Sequence, residues 1–368
     1  MQFFRTHTLA RHAALAVIAL VALVLLTYAL PSFRNFQLAT VGAYLCATAG
    51  LTVLIGQTGQ LSLGHGALMA TGAYSFALMA NQLGENGSTG FLLVIVPLLV
   101  AIVVAAIVGG LIGLAGARLA GPYLAGLTLA LIIAIPTITT TWDGTLGGDQ
   151  GLSVYVEPAP ASLGASFPLE QWQAWIACAA AVLVMFLLAN LVHSRFGRAM
   201  RAVRDDEVAA RLCGIAVGRT KVVAFIVSAA TAGLGGGILA MQTQSVSPGA
   251  YSLSFSLFLV MGVVVGGVGH LAGAVWGSLL LVALPDLTSS LLDHVDFSAS
   301  AASKLDGNLA LLIFGLVLIF VIVTAPRGLQ GLVDVIRGKV RRTPGGQALA
   351  TVPSTTTAHP QSTESSDV

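Results

Sequence analysis

The sequence predicts an all-α integral membrane protein, a polytopic bundle of about ten transmembrane helices with one polar helix on the cytosolic side. Three observations carry that prediction. Of 368 residues, 56% are hydrophobic and only 9% are charged. A soluble domain carries about 25% charged residues, so polar side chain is too scarce here to clothe a soluble surface. Apolar runs near the ~20 residues that cross a bilayer recur along the chain, and lysine and arginine are gathered into a few stretches.

The first span is 13–30. Arg5, Arg11 and His12 lie before it, as in a secretory signal. The run is longer than the ~7–15 apolar residues of a signal and shows no convincing cleavage site, so it is read as a span. The others are 38–56, 61–80, 91–116, 121–142, 173–192, 222–243, 254–269, 273–292 and 309–324, with 254–269 short for a crossing. The 42 glycines exceed the usual ~7%, as expected where helices pack closely in lipid.

Charge gives the orientation. Seven of the 17 Lys and Arg fall between Arg195 and Lys221, and five more from Arg327 onward, while 143–172 holds four acids and no base. The positive-inside tendency puts 195–221 and the C-terminus in the cytosol and 143–172 outside. An even number of spans with both termini inside follows. The domain layout is then a cytosolic N-terminus (1–12), a transmembrane domain (13–342) containing the loop 195–221, and a tail (343–368). The tail, rich in Thr, Ser and Pro, buries too little to offset ordering and is expected to be disordered.

Several chemistries are missing. No GxxxxGK[ST] phosphate loop occurs. Gly267-x-Gly269-x-x-Ala272 has a dinucleotide-like spacing but lies among apolar spans and is read as helix packing. No HExxH, Cys pair or His cluster marks a metal, and a net charge of +2 does not suggest nucleic acid. Cys46, Cys178 and Cys213 are read as small packing residues. Asp286, near a span end, is the main ionisable group inside a span, so a carboxylate proton relay is not expected. Gly64-His65-Gly66-Ala67 faintly echoes Gly269-His270-Leu271-Ala272-Gly273. The echo reads either as chance in Gly/Ala-rich sequence or as the paired span interruptions found at transport sites.

Three stretches remain as candidate functional segments. From Arg198 to Leu212 apolar residues alternate with charges, and Gly214 stands where a helix would stop. A helix lying on membrane lipid is one reading. The acidic cluster Asp205-Asp206-Glu207 favours docking to a cytosolic partner, which uses charges of both signs to set register. Between the second and third spans, Gly59 and Gly64 loosen the backbone and Gln60, Ser62 and His65 offer polar groups. Such a segment is tolerated in lipid only against protein or a water-filled cavity. It either lines the pathway near its cytosolic end or is a packed turn, with His65 a hydrogen-bonded packing residue. In the outer connection, Gly147, Gly148, Asp149 and Gly151 form either a docking surface or a plain turn.

The segment FGRAMRAVRDDEVAARLCGI resembles the cytoplasmic loop of binding-protein-dependent ABC importer permeases. It is most similar to that of the M-type subunit of branched-chain amino-acid (Leu/Ile/Val) transporters. Three more stretches fit in family order. They are GQTGQLSLGHG at 56–66 with Gly72-Ala73-Tyr74, Gly121–Leu129 with Gly147–Ser153, and Pro326-Arg327-Gly328-Leu329. Leu124 and Gly126 depart from the family pattern. The resemblance covers roughly 38–333 and implies a bacterial plasma-membrane transport subunit with no cofactor and no catalytic step of its own. It implies cytosolic ATPase subunits, a second permease and an external substrate-binding protein as partners. The cytosolic helix would be a coupling helix seated in a cleft of the ATPase, with Arg204 and Asp205 on its charged face. Glu207 would supply a polar contact, Ala209 and Ala210 close packing, and Gly214 the turn. Branched-chain or related amino acids are the implied cargo. Urea, short amides or sugars on the same architecture remain open, as does a stand-alone carrier.

Overall fold

A computed structural model describes residues 8–87, 90–118, 122–160, 163–164 and 167–293, with 315, 316, 319 and 328–331 beyond them. Its helices are α1 (Thr8–Ala29), α2 (Ser32–Thr58), α3 (His65–Glu85), α4 (Leu92–Gly116), α5 (Pro122–Thr141), α6 (Asp143–Leu146), α7 (Leu169–His193), α8 (Arg195–Asp205), α9 (Glu207–Leu212), α10 (Val217–Thr243), α11 (Leu253–Gly266) and α12 (Gly273–Asp293). Two short strands, β1 (Leu152–Ser153) and β2 (Ser245–Val246), pair antiparallel. The described chain is an all-α membrane protein. Six of its helices, α1, α2, α4, α5, α7 and α10, are long and apolar enough to cross a bilayer.

Each of the first nine expected spans coincides with a helix, with shifted ends. The third begins only at His65, because the backbone from Gly59 to Gly64 leaves the helical path. The tenth, 309–324, and the tail 343–368 lie largely or wholly outside the described residues.

The centre of the bundle is α10, packed between α2, α3 and α4. Small residues make this possible. A Cβ on Gly72 would sit 2.3 Å from the Gly233 carbonyl oxygen, and one on Gly236 2.0 Å from that of Met69. Backbones approach to that distance only where side chains are absent, which is how helices associate in lipid without a hydrophobic driving force. Helix α1 is peripheral. It packs on α7 and exposes Leu15, Val17, Ile18, Val21 and Leu25.

Contacts sort the helix ends into two sides. On one side Asn81 in the last turns of α3 bonds the 153–155 backbone, the Gly90 amide donates to Glu157, and β1 meets β2. Arg34 at the start of α2 pairs with Asp286 of α12 at 2.8 Å on the same side, so the carboxylate within that span has a cationic partner. The end of α2, the start of α3, α8, α9 and the start of α10 meet on the other. Cys46 and Cys178 are buried as expected of packing residues, but Cys213 is exposed, because it ends α9 on the loop surface.

The expected single helix from Arg198 to Leu212 is two. Asp206 is extended (φ −159°, ψ 114°), and its carboxylate accepts from the amides of Val208 at 2.7 Å and Ala209 at 3.0 Å. That is an N-cap, which satisfies amides orphaned by a new helix start. The same acidic cluster that reads as a charged face therefore breaks the helix.

Candidate functional site

The loop side of the molecule brings the two inner sequence candidates together. Helix α8 starts at Ser194, whose hydroxyl accepts from the Phe196 and Gly197 amides. It buries Gly197, Met200 and Val203 and turns Arg201 and Arg204 toward the end of α2. Helix α9 ends in a Schellman turn. The Ile215 amide donates to the Ala210 carbonyl at 3.0 Å, and that of Gly214 to Arg211 at 2.9 Å. This turn requires a left-handed residue, and Gly214 supplies it with φ +80°. Ile215 then packs on a small apolar cluster of Val203, Ala210 and Val217, which glues α8, α9 and α10.

Within this loop Ala210 faces inward while Ala209 is exposed. Glu207 pairs with the nearly buried Lys221 of α10 and lies 3.9 Å from Arg211. The outward face of α9 is apolar. Val208 is 67% and Leu212 85% exposed, one turn apart on the same side. Sequence reasoning weighed a helix lying on lipid against docking to a partner and, treating 198–212 as one helix, missed this ridge. The N-cap at Asp206, which resets the helix phase, is the signal that could have found it.

Arg204 and Arg201 reach the other candidate. Helix α2 ends at Gly59, which is left-handed (φ +70°) and donates to the Ile55 carbonyl. The Gly56 carbonyl in that last turn accepts from Arg204 Nη1 at 2.7 Å. A cation on an unfilled carbonyl at a helix C-terminus is favourable for both hydrogen bonding and the helix dipole. Arg204 also holds Asp205 at 2.8 Å. Beside it Gln57, almost fully buried, accepts from Arg201 Nη1 at 3.2 Å and donates to the Gly269 carbonyl at 3.3 Å. Gly269 (φ +96°) lies in the turn between α11 and α12. A Cβ on Gly56 would sit 2.6 Å from its backbone, and one on Gly328 2.4 Å from the Gly267 Cα. The last turn of α2 thus touches the glycine turn at 267–269, and the Gly328 segment closes on that same turn. Gly64 and Gly66, in the stretch that echoes it in sequence, pack instead on Thr128 and Ser256. The dinucleotide-like glycine spacing is this turn.

Beyond Gly59 the segment packs inward. Gln60 is buried; its side-chain oxygen accepts from the Thr58 hydroxyl, and its amide nitrogen has no partner among the described residues. Ser62 and His65 are fully buried. His65 Nδ1 lies 3.4 Å from Ser62 Oγ and Nε2 3.1 Å from Ser228 Oγ. Gly64 abuts the Thr128 carbonyl of α5 so closely that a Cβ would be 2.1 Å away, and the Thr128 hydroxyl accepts from the Leu63 amide. His65 is therefore a hydrogen-bonded packing residue in this conformation.

The glycines of the 147–151 turn do different work. The Gly147 amide closes α6 onto Asp143 at 2.7 Å, and the Gly151 amide returns to the Gly147 carbonyl at 3.0 Å. Gly148 is left-handed as well, and Asp149 is exposed at the turn. The turn delivers Leu152 into its pairing with Val246.

Residues 35–322 match the family described as branched-chain amino acid transport system / permease component. The chain belongs to this permease family. It is 31% identical over 293 residues to the high-affinity branched-chain amino acid transport system permease protein LivM of Escherichia coli K12, covering 73% of this chain and 67% of that one. It is 32% identical to the LivM permease of Salmonella typhimurium, covering 66% and 61%. LivH of Escherichia coli K12 is 26% identical over 70% of this chain and 86% of its own length. The permease thus spans roughly two-thirds of its LivM relatives' length. No solved structure matches it.

Proposed function

We propose that this permease is one transmembrane subunit of an ATP-driven importer for branched-chain amino acids and forms half of the translocation pathway. It has ten spans with both termini in the cytosol, pairs with a second permease, receives cargo from an external binding protein and is driven by cytosolic ATPase subunits. The relatives named LivM and LivH support the cargo and the pairing. The basic loop 195–221 supports the orientation. ATP hydrolysis belongs to another chain, and this one moves in response.

The observation that carries the reading is the Gln57 bridge. Through it, displacement of α8 has a hydrogen-bonded route to the end of α2 and to the α11–α12 turn. The exposed ridge of Val208, Ala209 and Leu212, flanked by Arg211 and Asp205, is the face offered to the ATPase. Glu207 and Lys221 hold that ridge in place, so Glu207 acts on docking through α9. Asp149, with Gly147, Gly148 and Gly151 shaping its turn, marks the surface for the external protein. Gln60, Ser62 and Gly64 enter the pathway when the inner end opens, with His65 as the packing pivot beside them.

The test is uptake by proteoliposomes containing the permease with its ATPase and partner subunits. Leucine uptake requires ATP, and V208D/L212D abolishes both uptake and ATPase co-purification. ATP-independent leucine flux through the permease alone would overturn the reading. A fructose import permease of Bifidobacterium longum is 27% identical over 67% of this chain. Fructose is therefore the competing cargo to include, and fructose uptake in place of leucine uptake would move the assignment to sugars.

A further inference from the structure

Helices α4 and α10 pack through glycine along their middles. A Cβ on Gly109 would lie 2.1 Å from Ala229 Cβ, and one on Gly113 3.0 Å from Phe225 Cβ. One turn further toward the loop side the helices part. A cavity of about 620 Å³ opens there, lined by Leu114, Gly218, Val222 and Val223 with Arg118 and Arg219. At Gly218 an added Cβ would meet only Ala117 Cβ, at 3.8 Å, so the cavity is roomy at that point.

Two features characterise this cavity. Arg201, Arg204 and Arg211 are each engaged by a carbonyl, an amide or a carboxylate. The guanidiniums of Arg118 and Arg219 have neither a hydrogen bond nor an ion pair among the described residues, and both residues are exposed. Arg195 and Arg198 of α8 are also exposed and unpaired, but they do not line the cavity. The second feature is continuity with the lipid-facing surface. Ile107, Leu111 and Leu114 of α4 are 59%, 63% and 58% exposed and follow one another at helical spacing up to the cavity.

We propose that this cavity binds an anionic glycerophospholipid of the adjoining leaflet. Its phosphate is held by Arg118 and Arg219, and one acyl chain runs along Val222, Leu114 and Leu111. Two guanidiniums give a phosphodiester the charge-assisted hydrogen bonds it prefers. Basic pockets between spans are suited to such headgroups. An acidic protein surface would satisfy the charges but would leave the apolar lining and the α4 stripe without a role. The combination of apolar groove and unpaired cations fits a molecule that is both.

The test is native mass spectrometry of the purified full-length permease in detergent, with dioleoyl-phosphatidylglycerol or dioleoyl-phosphatidylcholine added. The permease retains the anionic lipid about tenfold better than the zwitterionic one. R118Q/R219Q loses that preference, while R198Q, which removes an exposed cation away from the cavity, keeps it. G218L leaves both arginines in place, fills the cavity and also lowers retention. Circular dichroism confirms that each variant is folded. Three results would overturn the proposal. One is a preference that survives R118Q/R219Q, and another is full retention in G218L. The third is displacement of the lipid by equimolar glycerol phosphate, which would make this a site for a free phosphoester. If R118Q/R219Q instead weakened ATPase co-purification with lipid preference intact, the arginines would belong to a protein interface and the proposal would fail.

Discussion

The permease has two glycine-rich turns of similar length on opposite sides of the bundle, and they are built on opposite plans. The outer one, 147–151, is closed by its own backbone. Gly147 caps α6, Gly151 bonds back to Gly147, and the strand pair of Leu152 with Val246 fixes the rest. The inner one, 59–64, has a backbone with few such closures. What holds it comes from elsewhere: the Thr128 hydroxyl takes the Leu63 amide, and the end of α2 that leads into it is held by Arg204 on Gly56 and by Arg201 and the Gly269 carbonyl on Gln57. Glycine serves both turns in the same two ways. It is left-handed at Gly147, Gly148 and Gly151 in the first and at Gly59 in the second, and it admits a neighbouring backbone at Gly151 in the first and at Gly64 in the second. A turn held by its own backbone is a fixed surface. One held by side chains of another segment moves when that segment moves.

Breaking the inner plan has the largest effect. G64V places a Cβ against the Thr128 carbonyl, where the nearest atoms are backbone and cannot step aside. Overpacking of that kind costs about 3 kcal/mol or more, and G64V should yield little folded protein by size-exclusion chromatography in detergent. G151A meets the Val246 carbonyl at 2.0 Å and must also hold a positive φ, for about 3 kcal/mol in all, with no further methyls to place as in valine. It lowers the melting temperature, yet the surviving protein moves as much cargo per ATP as the wild type. Uncoupling by G151A would erase the distinction between the two turns.

Asn81→Ala sharpens the comparison on the outer side. It removes the pair of bonds that clamp the 153–155 backbone, at 2.8 and 2.7 Å. The loss is about 1 kcal/mol for such exposed bonds, read as a lower melting temperature with coupling intact. The smallest effect is Lys221→Met. Glu207, left without its strongest partner, is exposed enough to be resolvated, so the global cost is below about 1 kcal/mol. Hydrogen exchange should rise in 207–214 and nowhere else.

How much of this was legible follows from range. The spans could be read because each apolar run declares itself within ~20 residues. Gly214 could be read because a helix stop needs a left-handed residue within the next turn. The α8–α9 break was equally local, but Asp205-Asp206-Glu207 reads as charge before it reads as a cap. The inner site was half legible. Gly56 to Gly66 announced a loosened backbone, but the echo of Gly64–Ala67 at Gly269 did not point to Gly56 and Gln57, the residues that meet that turn. Nothing local links Gln57 to Arg201 or to Gly269, which are 144 and 212 residues away. Glu207 and Lys221 are nearer, yet their meeting depends on the turn at Gly214 folding α9 back onto α10.

Coupling through Gln57 is the central claim, and a double-mutant cycle on R201A and Q57A tests it most directly. The measurement is leucine imported per ATP hydrolysed in proteoliposomes holding the full transporter. If the two side chains act through one bridge, each single variant lowers the ratio several-fold and the double variant falls no further than the worse single one. Independent losses that multiply in the double variant, or a ratio untouched in all three, would contradict the account.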